Sequence, residues 1–235
     1  MKESHLFDPK NIAVLEMEER KIWQNPEEIL RTIEIKSEFT VADLGCGSGF
    51  LTVPLSRKAR KVYGIDIQKE MLEFLEQKMR SLKIENIHPL LSKENEIPLG
   101  NASVDLLVSM NTLHEFDDKE RMVEEMKRVL KQGGKALIAD FKKETTGFGP
   151  PVVIRVSRKQ ATNLFEKKGF TTLKKENLPY HYLLVFSKKN PTKVWEIACI
   201  QRTCAHQSLT PSLSTARPTT YTTSAITKML VNPKA

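Results

Sequence analysis

Cysteine is scarce: Cys46, Cys199 and Cys204 are the only three in 235 residues, and no two form a C-x-x-C pair. That argues against a disulfide framework and suits a reducing, cytoplasmic compartment. Cys199, Cys204 and His206 have no accepted zinc spacing, so no metal is expected. Long apolar runs are also missing. No stretch approaches the ~18 residues of a membrane-spanning helix. Met1-Lys2-Glu3-Ser4-His5 has no apolar run behind it, so no secretory signal is expected. There is no internal repeat. The hydrophobic fraction of 40% is ordinary for a soluble globular protein, and the length fits one full-sized core plus a tail.

Charge of one sign is weaker than the total suggests. The net +8 includes Lys193, Arg202, Arg217, Lys228 and Lys234 against Glu196 in the segment after residue 189. Elsewhere lysines alternate with glutamates as on solvated helix faces, so a nucleic-acid partner is not indicated. From Asn190 onward Thr, Ser and Pro crowd the chain. Such a composition offsets too little ordering entropy, and disorder is expected over 190–235. The remainder divides into a lead-in or lid segment, 1–36, and a folded domain, 37–189.

The folded part is organised around Val41-Ala42-Asp43-Leu44-Gly45-Cys46-Gly47-Ser48-Gly49. A buried strand over Phe39–Leu44 stops at three alternate glycines, and a helix follows from Phe50 to Lys58. Glycine here lets the backbone turn sharply and approach a ligand closely. The next strand, from Lys61, ends on Asp66, at the offset from Gly45 where a carboxylate holds a ribose diol. The dinucleotide fingerprint is G-x-G-x-x-G, whereas this chain has G-x-G-x-G with Asp43 just before it. A carboxylate there disfavours a pyrophosphate and suits a ligand bearing sulfonium and ammonium groups.

Asn25-Pro26-Glu27-Glu28 starts a lead-in helix. An amphipathic helix is predicted over Lys69–Leu82, strands over Ile87–Leu91 and Val104–Met110, and a helix from Asp117-Asp118 ended by Gly133-Gly134. A fifth strand follows over Lys135–Phe141. Gly147–Pro151 is a rigid loop, and Ser157-Arg158-Lys159-Gln160 opens a helix with a capping box. Phe170–Lys175 and Tyr180–Ser187 form a closing antiparallel hairpin. This order predicts an α/β, doubly wound, largely parallel sheet with ligands outside the carboxyl ends of its strands.

The motif Asp43-x-Gly45-x-Gly47-x-Gly49 resembles motif I of the class I S-adenosylmethionine-dependent methyltransferases. With Gly64-Ile65-Asp66, Ile97-Pro98-Leu99, Leu113-His114-Glu115-Phe116 and Arg128–Lys135, the likeness is to the type 11 group, related to the ubiquinone/menaquinone C-methyltransferases. The resemblance implies a Rossmann-like seven-stranded sheet with an antiparallel last strand and helices on both faces. It implies S-adenosyl-L-methionine as cofactor and a small-molecule methyl acceptor. Gly45, Gly47 and Gly49 would face the methionine end of that cofactor, with Asp43 close by. Asp66 would take the ribose hydroxyls, Ile67 would pack on adenine, and the Met110 carbonyl would meet the ammonium group. Relatives carry an aspartate near position 93 for the adenine amino group; here Ser92-Lys93-Glu94-Asn95 leaves Glu94 or a backbone group to serve.

Methyl transfer from a sulfonium is an in-line displacement, so the protein supplies alignment and, for an oxygen or carbon acceptor, a base. His114 and Glu115, after the fourth strand, are the candidate base and its orienting or cation-holding partner; the alternative makes them the polar start of a helix. Asp140 is a further candidate. A nicotinamide dehydrogenase would want Tyr-x-x-x-Lys, which none of the four tyrosines forms. The remaining alternatives are a non-catalytic S-adenosylmethionine-binding module acting on a protein or RNA, or an RNA methyltransferase. Oligomeric state is not written in the sequence.

Overall fold

Alternating apolar strands and amphipathic helices need a sheet covered on both sides, and the computed structural model, which describes residues 6–189, has that arrangement. The segment expected to be disordered, 190–235, and residues 1–5 lie outside the described residues. The chain opens with a 3-10 turn (Pro9–Asn11) and three short helices, α1 (Ile12–Leu15), α2 (Arg20–Trp23) and α3 (Pro26–Arg31). Asn25 caps α3 by accepting the N–H groups of Glu27 and Glu28 at 2.9 and 3.3 Å, with Pro26 at the first helical position.

The sheet domain follows in the order β1 (Thr40–Leu44), α4 (Thr52–Ser56), β2 (Lys61–Asp66), α5 (Lys69–Leu82), β3 (Ile87–Leu91), β4 (Val104–Met110), α6 (Lys119–Val129), β5 (Leu130–Phe141), α7 (Arg158–Lys167), β6 (Phe170–Asn177) and β7 (His181–Lys188). Seven strands form one sheet in the order β3-β2-β1-β4-β5-β7-β6. β1 to β5 pair in parallel, and β7 runs antiparallel to both β5 and β6. The topological switch point lies between β1 and β4, and the glycine turn leaves β1 there.

Strand alternation sends successive side chains to opposite faces. Ala136 and Ile138 of β5 and Leu184 and Phe186 of β7 join α6 and α7 through Val123, Met126 and Phe165. Leu137, Ala139, Leu183 and Val185 join the other face, where Ile29, Leu55, Leu72 and Leu75 bring in α3, α4 and α5. Both layers are built of buried side chains, so the sheet is covered on both sides, as parallel sheets require.

Two local features differ from the sequence reading. The helix after the glycine turn covers only Thr52–Ser56, because Pro54 has no N–H to close a bond back to Phe50. Gly133-Gly134 does not end α6. Leu130 is already extended (φ −68°, ψ 134°) and pairs with Val104, and the register then jumps to Leu106 opposite Lys135. The glycines therefore sit in an irregularity of β5, where Gly133 has φ +72° and a Cβ on Gly134 would lie 2.9 Å from the Lys131 carbonyl oxygen.

The glycine turn is fixed by crowding as well as by backbone angle. Gly45 has φ +71°, and a Cβ there would lie 2.3 Å from Thr112 Oγ1 and 2.4 Å from Thr112 Cγ2. Gly45→Ala should therefore lower stability in urea unfolding by about 2–4 kcal/mol, the cost of overpacking plus a left-handed alanine. Gly100→Ala, with nothing within 4 Å of the added Cβ, should stay within about 0.5 kcal/mol of the parent.

Candidate active site

The carboxyl ends of β1, β2, β4 and β5 converge on one pole of the sheet. At the end of β2, Asp66 is 8% exposed; its Oδ2 accepts the Gly47 N–H at 2.9 Å and its Oδ1 the Gln68 N–H at 3.0 Å. Burial raises its pKa, and these N–H groups act against the rise. Asp43 lies buried at the end of β1 and accepts from Thr52 Oγ1 at 2.6 Å. Burial pushes it up to about 7, with Asp66 adding repulsion. Glu115 is likewise pushed up to about 7 by burial, with Asp66 and Asp140 adding to it. Among the described residues no cation pairs with any of these three carboxylates. That donor set fits a ligand that brings its own positive charge.

The three glycines differ in what they face. The missing Cβ of Gly45 makes room for Thr112, and that of Gly49 for Leu75, whose Cδ1 would be 2.7 Å away. Gly47 alone of the three has room for a Cβ, which would meet only Leu15 Cδ1, at an ordinary contact distance of 3.8 Å. Ile67 is half-buried just beyond Asp66, and Met110 is buried at the end of β4, where its carbonyl accepts from Thr112 Oγ1 at 3.0 Å. One lone pair of that carbonyl remains. Glu94 is exposed on the turn after β3 and lines a groove with Arg121 and Arg128. Ser92, two residues earlier, is the one tied to Asp66, through its N–H to the Asp66 carbonyl at 2.8 Å.

Beside this cluster stands a histidine–carboxylate pair. His114 Nδ1 lies 2.7 Å from Asp140 Oδ1, and the His114 main-chain N–H donates to Asp140 Oδ2 at 3.0 Å. The Phe141 N–H holds Oδ1 as well, at 2.7 Å. An ionised carboxylate only accepts, so Nδ1 carries the proton and Nε2 is left with its lone pair. Burial works to lower the His114 pKa, but the Asp140 bond and charge outweigh it and hold the pKa above the usual histidine value. His114 and Asp140 are 4% and 1% exposed.

The lead-in segment lies across this pole. Phe7 donates its N–H to Glu115 Oε1 at 3.2 Å and accepts from Gln68 Nε2 at 2.9 Å. Glu16 accepts from Ser48 Oγ of the glycine turn and from Lys78. Arg20 lies over the Phe50 ring at 3.9 Å and donates through Nε to Gln24 Oε1 at 2.7 Å. Gln24 Nε2 then reaches Asn111 Oδ1 at 3.2 Å and His181 Nε2 at 2.6 Å. Because Arg20 can only donate, the Gln24 amide is fixed and His181 Nε2 accepts. Burial, with the charges of Arg20 and Arg155 adding, lowers the His181 pKa to about 3.

Rings from three segments wall the site beyond Asp140. Trp23 meets Phe148 at 4.8 Å and His181 at 5.7 Å, and Phe141 meets His181 at 4.2 Å. Arg155 is buried with its guanidinium on the carbonyls of Pro150, Lys142, Glu144 and Phe148 and on Thr146 Oγ1, which holds the Gly147–Pro151 loop in place. Sequence reasoning missed Arg20, Gln24, Asn111, Thr112, Arg155 and His181. The i, i+4 spacing of Arg20 and Gln24 marks one helix face, but nothing in it names the residues that face meets.

The arrangement has close counterparts. A family model described as a methyltransferase domain matches residues 42–138, taking in the glycine turn, Asp66 and His114. A SAM dependent methyltransferase from Aquifex aeolicus superposes with a TM-score of 0.74 at 32% identity, covering 78% of this chain and 100% of that one. YcgJ of Bacillus subtilis, an uncharacterized methyltransferase, is 28% identical over 125 residues, 52% of this chain and 49% of its own. The demethylmenaquinone methyltransferase of Bacillus mycoides is 26% identical over 145 residues, 60% of each chain. The chain thus spans between about half and three-fifths of the length of these curated relatives. On the fold, the glycine turn and these matches together, the chain belongs to the S-adenosylmethionine-dependent methyltransferases of the type 11 group.

Proposed function

We propose that the protein transfers a methyl group from S-adenosylmethionine to a small-molecule acceptor, an oxygen, nitrogen or carbon nucleophile, with His114 as the base. The observation that carries this reading is the His114–Asp140 pair beside the carboxylates of Asp43, Asp66 and Glu115, two buried and one half-buried, which pair with no cation among the described residues. S-Adenosylmethionine supplies, when bound, a methyl group already activated on a sulfonium. The main chain of the glycine turn meets the methionine end at Gly47, with Gly45 and Gly49 shaping the turn against Thr112 and Leu75; Asp43 lends that end negative charge, and Asp66 takes the ribose hydroxyls. Ile67 covers the adenine, Glu94 or a neighbouring backbone group meets its amino group, and the free lone pair on the Met110 carbonyl takes the ammonium. His114 Nε2 accepts the proton the acceptor loses, while Asp140 fixes the tautomer and steadies the imidazolium. Glu115 orients the acceptor or balances its charge. The lead-in segment excludes water.

Among the described residues no helix is long and apolar enough to cross a membrane. A cytoplasmic location belongs to the same proposal and rests on the scarcity of cysteine. A metabolite-extract screen with methyl-labelled donor tests the activity. Thermal stabilisation tests the cofactor: at 100 times its dissociation constant, S-adenosylhomocysteine should stabilise by about 2.7 kcal/mol, and NAD should not.

The base has a pH signature. Protonated His114 cannot accept, and its pKa lies above the ordinary histidine value of about 6.5. kcat should therefore fall on the acid side with an inflection above that value. Asp140→Asn removes most of what raises the pKa, leaving the Glu115 charge, and keeps the burial that lowers it, so the inflection should move to lower pH while kcat drops roughly 10²-fold. His114→Ala should lose at least as much. Turnover unchanged by His114→Ala with every confirmed acceptor would eliminate the assignment.

Asp43 gives a stability signature of opposite sign to the usual carboxylate. Its folded pKa of about 7 exceeds the unfolded value, so the folded state holds the extra proton and loses stability as pH rises from about 4 to 7. Asp43→Asn should leave the melting temperature of the ligand-free protein near the parent's at pH 5 and raise it at pH 8, by about 2–4 °C per kcal/mol relieved. The same variant should bind S-adenosylmethionine more weakly.

A further inference from the structure

His181 carries a buried donor without a partner among the described residues. Gln24 Nε2 donates to His181 Nε2 at 2.6 Å, because Gln24 Oε1 is already taken by Arg20 Nε at 2.7 Å. A neutral imidazole has one proton, so it sits on Nδ1. The ring stays neutral, its pKa being lowered to about 3 by burial and by the charges of Arg20 and Arg155. His181 is fully buried, and its Nδ1 makes no hydrogen bond among the described residues. Ser103 Oγ, Ser109 Oγ and Tyr182 OH share that condition, but a hydroxyl can turn its hydrogen toward a neighbour. An imidazole N–H points where its ring points. Buried and unpaired, it costs the full desolvation of the group unless a ligand meets it.

The surroundings of His181 say which ligand. Trp23 stacks on its ring at 5.7 Å with 10° between the planes, and Phe141 lies 4.2 Å away. Phe148 and Tyr180 extend the set, at 4.8 and 6.0 Å from Trp23 and 4.8 Å from each other. Both stand outside the strands and helices and are 38% and 37% exposed, so the outer edge of the ring set meets solvent. Flat apolar walls around a single N–H suit a planar compound bearing an oxygen acceptor. Phe141 also meets His114, at 6.3 Å, and a protonated His114 is near enough to add to the lowering of the His181 pKa. One phenyl ring therefore has two histidine neighbours, one with a free Nε2 lone pair and one with a free Nδ1–H.

We propose that His181 Nδ1–H binds an oxygen of the methyl acceptor, and that this acceptor is a planar unsaturated compound whose oxygen is conjugated with the atom that takes the methyl group. This rests on the methyl-transfer reading above. When His114 Nε2 takes the acceptor's proton, the electron pair left behind forms the bond to the methyl carbon, and the sulfur keeps the pair of the bond that breaks. Until the new bond is complete that pair spreads onto the conjugated oxygen, and the His181 N–H stabilises the charge there. Arg20 and Gln24 act through His181: their two hydrogen bonds fix its tautomer and, drawing density toward Nε2, strengthen the Nδ1–H as a donor.

The test is fluorine NMR titration of the full chain, saturated with S-adenosylhomocysteine, with para-fluoroacetophenone and with para-fluoroethylbenzene. The two probes have nearly the same shape, and only the ketone has an oxygen. Water holds the ketone more strongly, so apolar walls alone favour the hydrocarbon. The wild-type protein should bind the ketone at least as tightly as the hydrocarbon. His181→Phe, which keeps a ring in the stack, should weaken the ketone about 5- to 50-fold and leave the hydrocarbon within about twofold. Equal weakening of both probes by His181→Phe, or none of either, would make the ring a packing element and overturn the proposal. So would a wild-type protein that favours the hydrocarbon or binds neither probe, a result that stands even if His181→Phe does not fold. A wild-type protein that does not bind S-adenosylhomocysteine refutes the methyl-transfer reading itself, and the His181 role falls with it.

Discussion

The contact on which the site depends is the pair of main-chain N–H groups, from Gly47 and Gln68, held by the Asp66 carboxylate. One partner belongs to the turn after β1 and the other to the start of α5, so a single side chain ties the glycine turn to the neighbouring βα unit. The N–H groups of Gly45 and Cys46 strengthen the tie by donating to the Ile65 carbonyl at 2.8 and 3.0 Å. A turn with three positive φ values would otherwise be a flexible loop. Anchored in this way, it presents a fixed concave backbone at the switch point of the sheet.

That anchorage has an electrostatic cost that runs through the rest of the pole. Asp66 raises the pKa of Asp43 and of Glu115, and each of these is already disfavoured as an anion by burial. Folding therefore stores unfavourable charge in one place and leaves it uncompensated by the protein's own cations. Lysines and arginines are plentiful, but they pair elsewhere: Arg128 with Glu125, Lys131 with Asp105, Lys168 with Glu120 and Glu124. A site held short of positive charge is preorganised for a positively charged ligand, which need displace no salt bridge on entering.

The same physics decides how much of this was legible in sequence. The strands over Ile87–Leu91 and Val104–Met110 and the helix over Lys69–Leu82 were readable to the residue, because alternation or helical periodicity and clear punctuation agree there. So were the capping box at Ser157 and the glycine turn. Gly133-Gly134 misled because a glycine pair marks a helix end and a strand irregularity equally well, and the pairing of Leu130 with Val104 is a long-range fact. Gly45, Gly47 and Gly49 look equivalent on paper. Which of them is filled by Thr112, filled by Leu75 or open depends on residues far along the chain.

The two histidines at the pole show why chemistry is harder to read than fold. His114 lies in the turn after β4 and His181 at the start of β7; both are buried, and both face Phe141, at 6.3 and 4.2 Å between ring centroids. Nothing in their local sequence separates them. Their partners do: a carboxylate on Nδ1 raises the pKa of His114, while a glutamine amide on Nε2 and the charges of Arg20 and Arg155 depress that of His181. One ring has its protonated form favoured by its carboxylate partner, and the other is held neutral. Asp140 and Gln24 reach these rings only through the pairing of β5 with β4 and the crossing of α2 over β7. The division between a histidine held by a carboxylate and one held by an amide is thus a product of topology, and on the reading proposed above it would set the acceptor on the side that carries Asp140.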